Sequence, residues 1–132
     1  MEPRRVLVVD DDLDLAEGLQ VFLHFALPHT EVARASSAHE ALDLIDARAT
    51  EGKPFDLVIT DHTMPGLTGA DLLERVAIMH PDALRVVFTG HDESISSSLQ
   101  QGRANAVVLK PDVAALLDVA DAVLATRRRA RA

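Results

Sequence analysis

The sequence contains no cysteine, no tryptophan and no tyrosine, and only four phenylalanines in 132 residues. Without cysteine there is no disulfide scaffold, no thiolate zinc site and no thiol nucleophile. Without tyrosine or tryptophan, a site that stacks a flat cofactor lacks its usual material, and aliphatic side chains must do most of the packing. No apolar run approaches the roughly 20 residues that span a bilayer. The first run, Val6 to Val9, is also too short for a signal-peptide core. The expectation is a soluble, cytoplasmic chain with no membrane partner. Lysine is scarce too: Lys53 and Lys110 stand against eleven arginines.

What is present suits one domain. About half the residues are hydrophobic (48%), enough for a core. The formal charge is −8, and taking away the four positive charges of Arg127, Arg128, Arg129 and Arg131 leaves −12 for the rest. So acidic a body disfavours nucleic acid as a direct partner, because phosphate binding needs a positive footprint. The expected organisation is a single domain over residues 1–132, with a core of about 4–125 and a basic tail, 126–132, that reads as a solvated terminus.

All six prolines, Pro3, Pro28, Pro54, Pro65, Pro81 and Pro111, fall between apolar segments and mark element boundaries. Four segments are short continuous apolar runs rich in β-branched residues: Val6–Val9, Leu57–Ile59, Val86–Phe88 and Val107–Leu109. They fit parallel strands covered on both faces. Glu31–Ala35 is a more polar fifth strand, suited to an edge. Amphipathic helices lie between them. The first covers about Leu13–Ala26 with Leu15, Leu19, Phe22, Leu23 and Ala26 on one stripe. The second opens on a Ser37-x-x-Glu40 capping box and carries Ala41, Leu44 and Ile45. The third opens on Thr68-x-x-Asp71 and carries Leu72, Leu73, Val76 and Met79. A weaker fourth runs from about Asp92 to Gln101. The fifth follows Asp112 as N-cap and carries Val113, Leu116, Leu117, Ala120 and Leu124. Strict alternation of strand and helix makes an α/β fold, a parallel sheet with helices on both faces. Such folds bind ligands beyond the carboxyl ends of their strands.

The residues just after the apolar runs carry the chemistry. The first strand ends in Asp10-Asp11-Asp12, the third in Asp61, the fourth in Thr89 and the fifth in Lys110. Four of five strands thus deliver a charged or reactive group to one edge. Each has a bland reading: an aspartate of the triplet caps the first helix, and Lys110 is a surface lysine. Together they are more specific. With Asp10, Asp11 and Asp61 ionised the edge carries −3, and two such charges about 4 Å apart cost roughly 4 kcal/mol at an effective dielectric near 20. A Mg²⁺ ion, which takes oxygen ligands, and Lys110 bring the sum to zero. Asp61 is then placed to act as a nucleophile toward phosphorus, with Thr89 and Lys110 on the phosphoryl oxygens.

At these residues the chain resembles the receiver domains of two-component response regulators, over roughly residues 4–125. The matching stretches are Val8-Val9-Asp10-Asp11-Asp12, Asp56 through Asp61, Met64-Pro65-Gly66-Leu67-Thr68-Gly69, Val86 through Gly90, and Leu109-Lys110-Pro111. The resemblance implies a flavodoxin-like, doubly wound, three-layer α/β/α fold with strand order 2-1-3-4-5 and five helices. It implies Asp61 as phosphoacceptor and Asp10 and Asp11 as the acidic pair, with Asp11 the more direct Mg²⁺ ligand. It further implies a Thr63 backbone carbonyl on the ion, Thr89 as switch hydroxyl, Lys110 on the phosphate, a cis Lys110–Pro111 bond, and Mn²⁺ as a substitute for Mg²⁺. The donor would be a histidine kinase or a histidine phosphotransfer protein, and the output a downstream protein. The chain would be a signalling phosphoacceptor that assists its own phosphorylation and dephosphorylation, standing alone or as part of a larger regulator.

One position departs from the pattern. The family usually carries Tyr or Phe three residues before the lysine, where this chain has Val107. Two rival readings follow from the residues. A phosphatase built on Asp61 would need a second aspartate two positions on, where Thr63 stands. A pseudo-receiver that only binds partners would not need the acidic pair, Asp61, Thr89 and Lys110, all of which are present.

Overall fold

A computed structural model describes residues 2–90 and 104–131, with side chains given as far as Thr126. Five strands, β1 (Arg4–Val9), β2 (Thr30–Ala35), β3 (Leu57–Thr60), β4 (Leu84–Thr89) and β5 (Ala106–Leu109), alternate with helices α1 (Leu13–Ala26), α2 (Ala38–Thr50), α3 (Gly69–Met79) and α4 (Val113–Arg131). The last is the helix expected to follow Asp112. The helix expected over about Asp92–Gln101 lies outside the described residues. All strands are parallel, in the order β2-β1-β3-β4-β5. This is the flavodoxin-like arrangement, and the more polar strand β2 is at an edge as its composition suggests.

The two-residue period of a strand splits the core into two layers. Leu7, Val9, Val58 and Val87 face one side and pack against Ala41, Ile45, Leu72, Leu73 and Val76 of α2 and α3. Val6, Val8, Leu57, Ile59, Val86 and Phe88 face the other and pack against Leu19, Leu23, Leu116, Ala120 and Leu124 of α1 and α4. Burial on both faces is why the strands read as unbroken apolar runs. Among the described residues no helix is long and apolar enough to cross a membrane.

Four expectations about the core need correction, the first being Val113, which is 39% exposed at the opening turn of α4. The α1 stripe runs through Ala16, Leu19 and Leu23, while Ala26 is exposed. The helix ends there, and the extended Leu27 enters the core in its place. Met79 is 55% exposed, because the last turn of α3 borders a cavity of about 220 Å³ lined also by Ile45, Phe55 and Ala83. Leu109 is 40% exposed, because β5 is the opposite edge of the sheet and is covered less fully.

The helix starts are fixed by side-chain caps. Asp12 accepts from Leu15 N–H at 3.1 Å and Asp112 from Ala115 N–H at 2.9 Å. Ser37 accepts from Glu40 N–H at 3.1 Å, but the Glu40 carboxylate takes the Ser36 hydroxyl instead of closing the box. Thr68 and Asp71 form the full reciprocal box at α3. Opposite the carboxyl edge, the buried Asp56 staples β3 to its neighbour: its carboxylate accepts from Arg5 N–H at 2.8 Å and its own N–H donates to Arg5 O at 2.7 Å.

Two glycines make a direct test of this packing. A Cβ on Gly69 would lie inside van der Waals contact of the Asp61 carbonyl oxygen and 2.9 Å from His62 Cα, whereas a Cβ on Gly18 would meet nothing within 4 Å. Gly69→Ala should therefore cost about 2–3 kcal/mol in urea unfolding. Gly18→Ala, on the solvent face of α1, should stabilise by up to about 1 kcal/mol. Equal effects of the two substitutions would contradict this packing.

Candidate functional site

The parallel sheet brings the ends of β1, β3, β4 and β5 to one edge. The strand ladder continues one residue past β1 and β3: Asp10 N–H donates to Ala35 O at 3.1 Å, and Asp61 N–H to Val9 O at 2.9 Å. That fixes the main chain of both aspartates in the sheet frame. Lys110 N–H donates to Thr89 O at 2.8 Å, which ties the fourth strand end to the fifth.

Asp10, Asp11 and Asp61 each present a carboxylate oxygen within 4.8 Å of the other two. Asp10 and Asp61 are buried and Asp11 is exposed. Asp12, the third member of the triplet, is the helix cap, so its carboxylate is used locally. Its N–H donates to Asp10 Oδ1 at 2.9 Å and so helps orient that side chain. The Lys110 ammonium donates to Asp10 Oδ2 at 2.8 Å and sits 3.4 Å from Asp61 Oδ2. The other Asp61 oxygen, Oδ1, accepts from His62 N–H at 2.8 Å.

Burial alone would lower the Lys110 ammonium. The hydrogen bond and charge of Asp10, followed by the charge of Asp61, outweigh burial and hold it above its usual value. Lys110 is thus a fixed positive charge across the neutral range. It offsets one of three negative charges, and at 4.8 Å each remaining carboxylate pair repels by about 3–4 kcal/mol at an effective dielectric near 20. The cluster can hold a metal ion. Its donors are all oxygen, which suits a hard cation rather than a soft one.

The structure thus brings Asp10, Asp11, Asp61 and Lys110 together. Thr89 is at the same edge, fully buried at the end of β4. Thr63 is exposed in the β3–α3 loop. The Lys110–Pro111 bond is cis. The residues by themselves left open which aspartate of the triplet caps the helix, although the resemblance implied Asp10 and Asp11 as the acidic pair. Sequence reasoning also missed what surrounds the Asp61 main chain: Thr60, whose hydroxyl donates to Asp61 O at 2.9 Å, and Gly69, whose N–H donates to His62 O at 2.8 Å. The only signal for Thr60 was a polar residue closing an apolar run.

The sequence matches the profile described as the response regulator receiver domain over residues 6–121. A response regulator receiver protein of Anaeromyxobacter sp. (strain Fw109-5) is 38% identical over 110 residues, covering 82% of this chain and 43% of that protein. The chain therefore spans less than half the length of that relative. Among solved structures, a CheY-like response regulator receiver domain protein from Methanospirillum hungatei JF-1 superposes with a TM-score of 0.83 at 29% identity, covering 97% of this chain and 98% of the other. The response regulator protein TrrA from Thermotoga maritima, in complex with Mg²⁺–BeF, superposes with a TM-score of 0.76 at 26% identity, covering 91% and 98%.

Removing the Lys110 charge tests the electrostatic reading. Lys110→Ala leaves the buried Asp10 without its cation and should cost about 1–3 kcal/mol at neutral pH in metal-free buffer. The folded value lies above the ordinary 10.5, so this stabilisation is fully present below that pH and is lost as pH rises through the folded value. The gap between parent and variant should be flat through the neutral range and narrow at strongly alkaline pH. A gap that widens toward alkaline pH would contradict the assignment.

Proposed function

The chain belongs to the response regulator receiver domain family, and on that premise we propose that Asp61 accepts a phosphoryl group from a phosphohistidine donor in a Mg²⁺-dependent reaction. The observation that carries this reading is the convergence of Asp10, Asp11 and Asp61 with Lys110 at the carboxyl edge of the sheet. The acceptor unit is residues 1–132, with a core of about 4–125. Its donor is a histidine kinase or a histidine phosphotransfer protein in the cytoplasm, and its output is a change in a surface read by another protein.

The chemistry is a displacement at phosphorus. An Asp61 carboxylate oxygen forms a bond to phosphorus as the N–P bond of the donor breaks. The imidazole leaves with the electron pair and takes a proton from solvent. The chain positions the nucleophile and neutralises charge. The His62 N–H holds Asp61 Oδ1, and the Lys110 ammonium is close enough to reach a phosphoryl oxygen carried on Asp61. Thr89 offers a hydroxyl from the end of β4. Asp10, Asp11, Asp61 and the Thr63 carbonyl would hold Mg²⁺, which would supply positive charge against the carboxylates and the phosphoryl oxygens; Mn²⁺ could substitute for it. The Mg²⁺–BeF complex of the Thermotoga maritima relative supports this choice of ion.

Val107 favours a modified readout rather than a lost activity. It is half-buried on β5 and packs on the α2/α3 side of the sheet. A valine has no aromatic ring to swing between rotamers, so a displacement of Thr89 would reach β5 through the strand pairing and the main-chain bond to Lys110 and not through a ring.

Two measurements test the reading. Incubation with Mg²⁺ and acetyl phosphate should add one phosphoryl group by intact mass, removable by hydroxylamine and absent from Asp61→Asn. An adduct that persists in that variant refutes the acceptor assignment. Asp11→Asn should bind Mg²⁺ at least tenfold more weakly, since one of three carboxylates is gone, yet melt no lower in metal-free buffer because repulsion is relieved. Unchanged Mg²⁺ affinity would remove Asp11 from the ligand set.

A further inference from the structure

The main chain at the acceptor is enclosed in a way that the phosphoryl chemistry alone does not require. β3 ends at Thr60, so the Asp61 carbonyl lies past the last residue of the strand. Two features close around that oxygen. The Thr60 hydroxyl donates to it at 2.9 Å, and the Gly69 Cα stands so close that any side chain there would strike it. Thr60 is fully buried. Its three predecessors in the strand, Leu57, Val58 and Ile59, are all aliphatic. Valine would fill the same volume at this position, and a buried hydroxyl is costly unless it is bonded. Packing therefore gives no reason for the oxygen atom of Thr60. The hydrogen bond to Asp61 gives one.

We propose that Thr60 is a positioning residue for phosphorylation: its hydroxyl holds the Asp61 main chain, and through it the carboxylate, in the attacking orientation. The proposal rests on the reading of Asp61 as acceptor. The bond restrains the peptide that follows Asp61. That peptide carries the His62 N–H, which binds Asp61 Oδ1 at 2.8 Å, and the next carbonyl, His62 O, is held by Gly69 N–H at 2.8 Å. Loss of the Thr60 hydroxyl frees the first link of this chain while β3, its apolar neighbours and the α3 cap stay in place. Displacement at phosphorus is sensitive to the alignment of the attacking oxygen, so the effect belongs in the rate and not mainly in the stability.

The test compares Thr60→Val, which keeps the shape and loses the donor, with Thr60→Ser, which keeps the donor and loses a methyl group. Each is phosphorylated with acetyl phosphate at saturating Mg²⁺, and the maximal rate and half-saturating donor concentration are measured beside a thermal melt. Thr60→Val should lower the maximal rate by about fivefold, the factor that corresponds to roughly 1 kcal/mol of barrier. It should leave the half-saturating donor concentration within about twofold, and Thr60→Ser should restore the rate to within about twofold of the parent. A parental rate in Thr60→Val overturns the proposal. So does a loss that Thr60→Ser shares in full, since that would make the side-chain volume responsible. Should Thr60→Val fail to fold, Thr60→Ala, which differs from Thr60→Ser by the hydroxyl alone, is held to the same outcomes. Asp61→Asn is run alongside. An adduct persisting there refutes the acceptor reading, whereas an adduct lost there with a parental rate in Thr60→Val refutes the positioning role alone.

Discussion

Everything at the functional edge depends on how three aspartates are kept together. Their carboxylate oxygens lie within 4.8 Å of one another, and two of the three residues are buried, so the arrangement is unstable without positive charge. Lys110 supplies part of it, with Nζ at 2.8 Å from Asp10 and 3.4 Å from Asp61. The remainder is an electrostatic deficit built into the fold. A site that is short of positive charge can hold a hard cation, and a cation there would make an anionic phosphoryl group tolerable beside Asp61. The deficit is thus the source of the proposed function rather than a flaw in the packing.

The two ends of the sheet show how differently a buried carboxylate is treated when it has only a structural task. Asp56, at the entry to β3, accepts from Arg5 N–H, and its peptide groups bond to Arg5 and Leu84. Main-chain donors of that kind cannot be exchanged without undoing the sheet. Asp61, one strand length further on, has one oxygen held by a main-chain donor and the other facing a lysine at 3.4 Å. A partner at that distance is a charge more than a hydrogen bond. One oxygen of Asp61 is therefore fixed by the main chain while the other faces a side-chain charge.

Much of this was legible in the sequence because the sheet is buried on both faces. Continuous apolar runs such as Val6–Val9 and Val86–Phe88 mark the strands, and the polar residues within two positions of each run's end mark the edge where the site lies. Asp10, Asp61, Thr89 and Lys110 were found this way. What remained hidden depended on three-dimensional details that periodicity does not encode. Nothing in Asp10-Asp11-Asp12 tells which carboxylate caps α1; the turn into the helix gives that task to Asp12. The stripe containing Met79 continues the α3 pattern past the point where the neighbouring layer ends, so an apolar residue is left at a cavity mouth. Gly69 read as part of a motif, but its reason, the close approach of the Asp61 carbonyl, exists only once α3 is docked.

The acidic cluster lacks positive charge, and a hard divalent cation would complete it. The most direct measurement is the thermal stability of the unphosphorylated chain as Mg²⁺ is raised at constant ionic strength. Stability should rise continuously with Mg²⁺, by about 2.7 kcal/mol when the ion is a hundredfold above its dissociation constant. A monovalent salt at matched ionic strength should give no comparable rise. A melting temperature indifferent to Mg²⁺, or one that monovalent salt raises equally, would contradict a cation at this cluster.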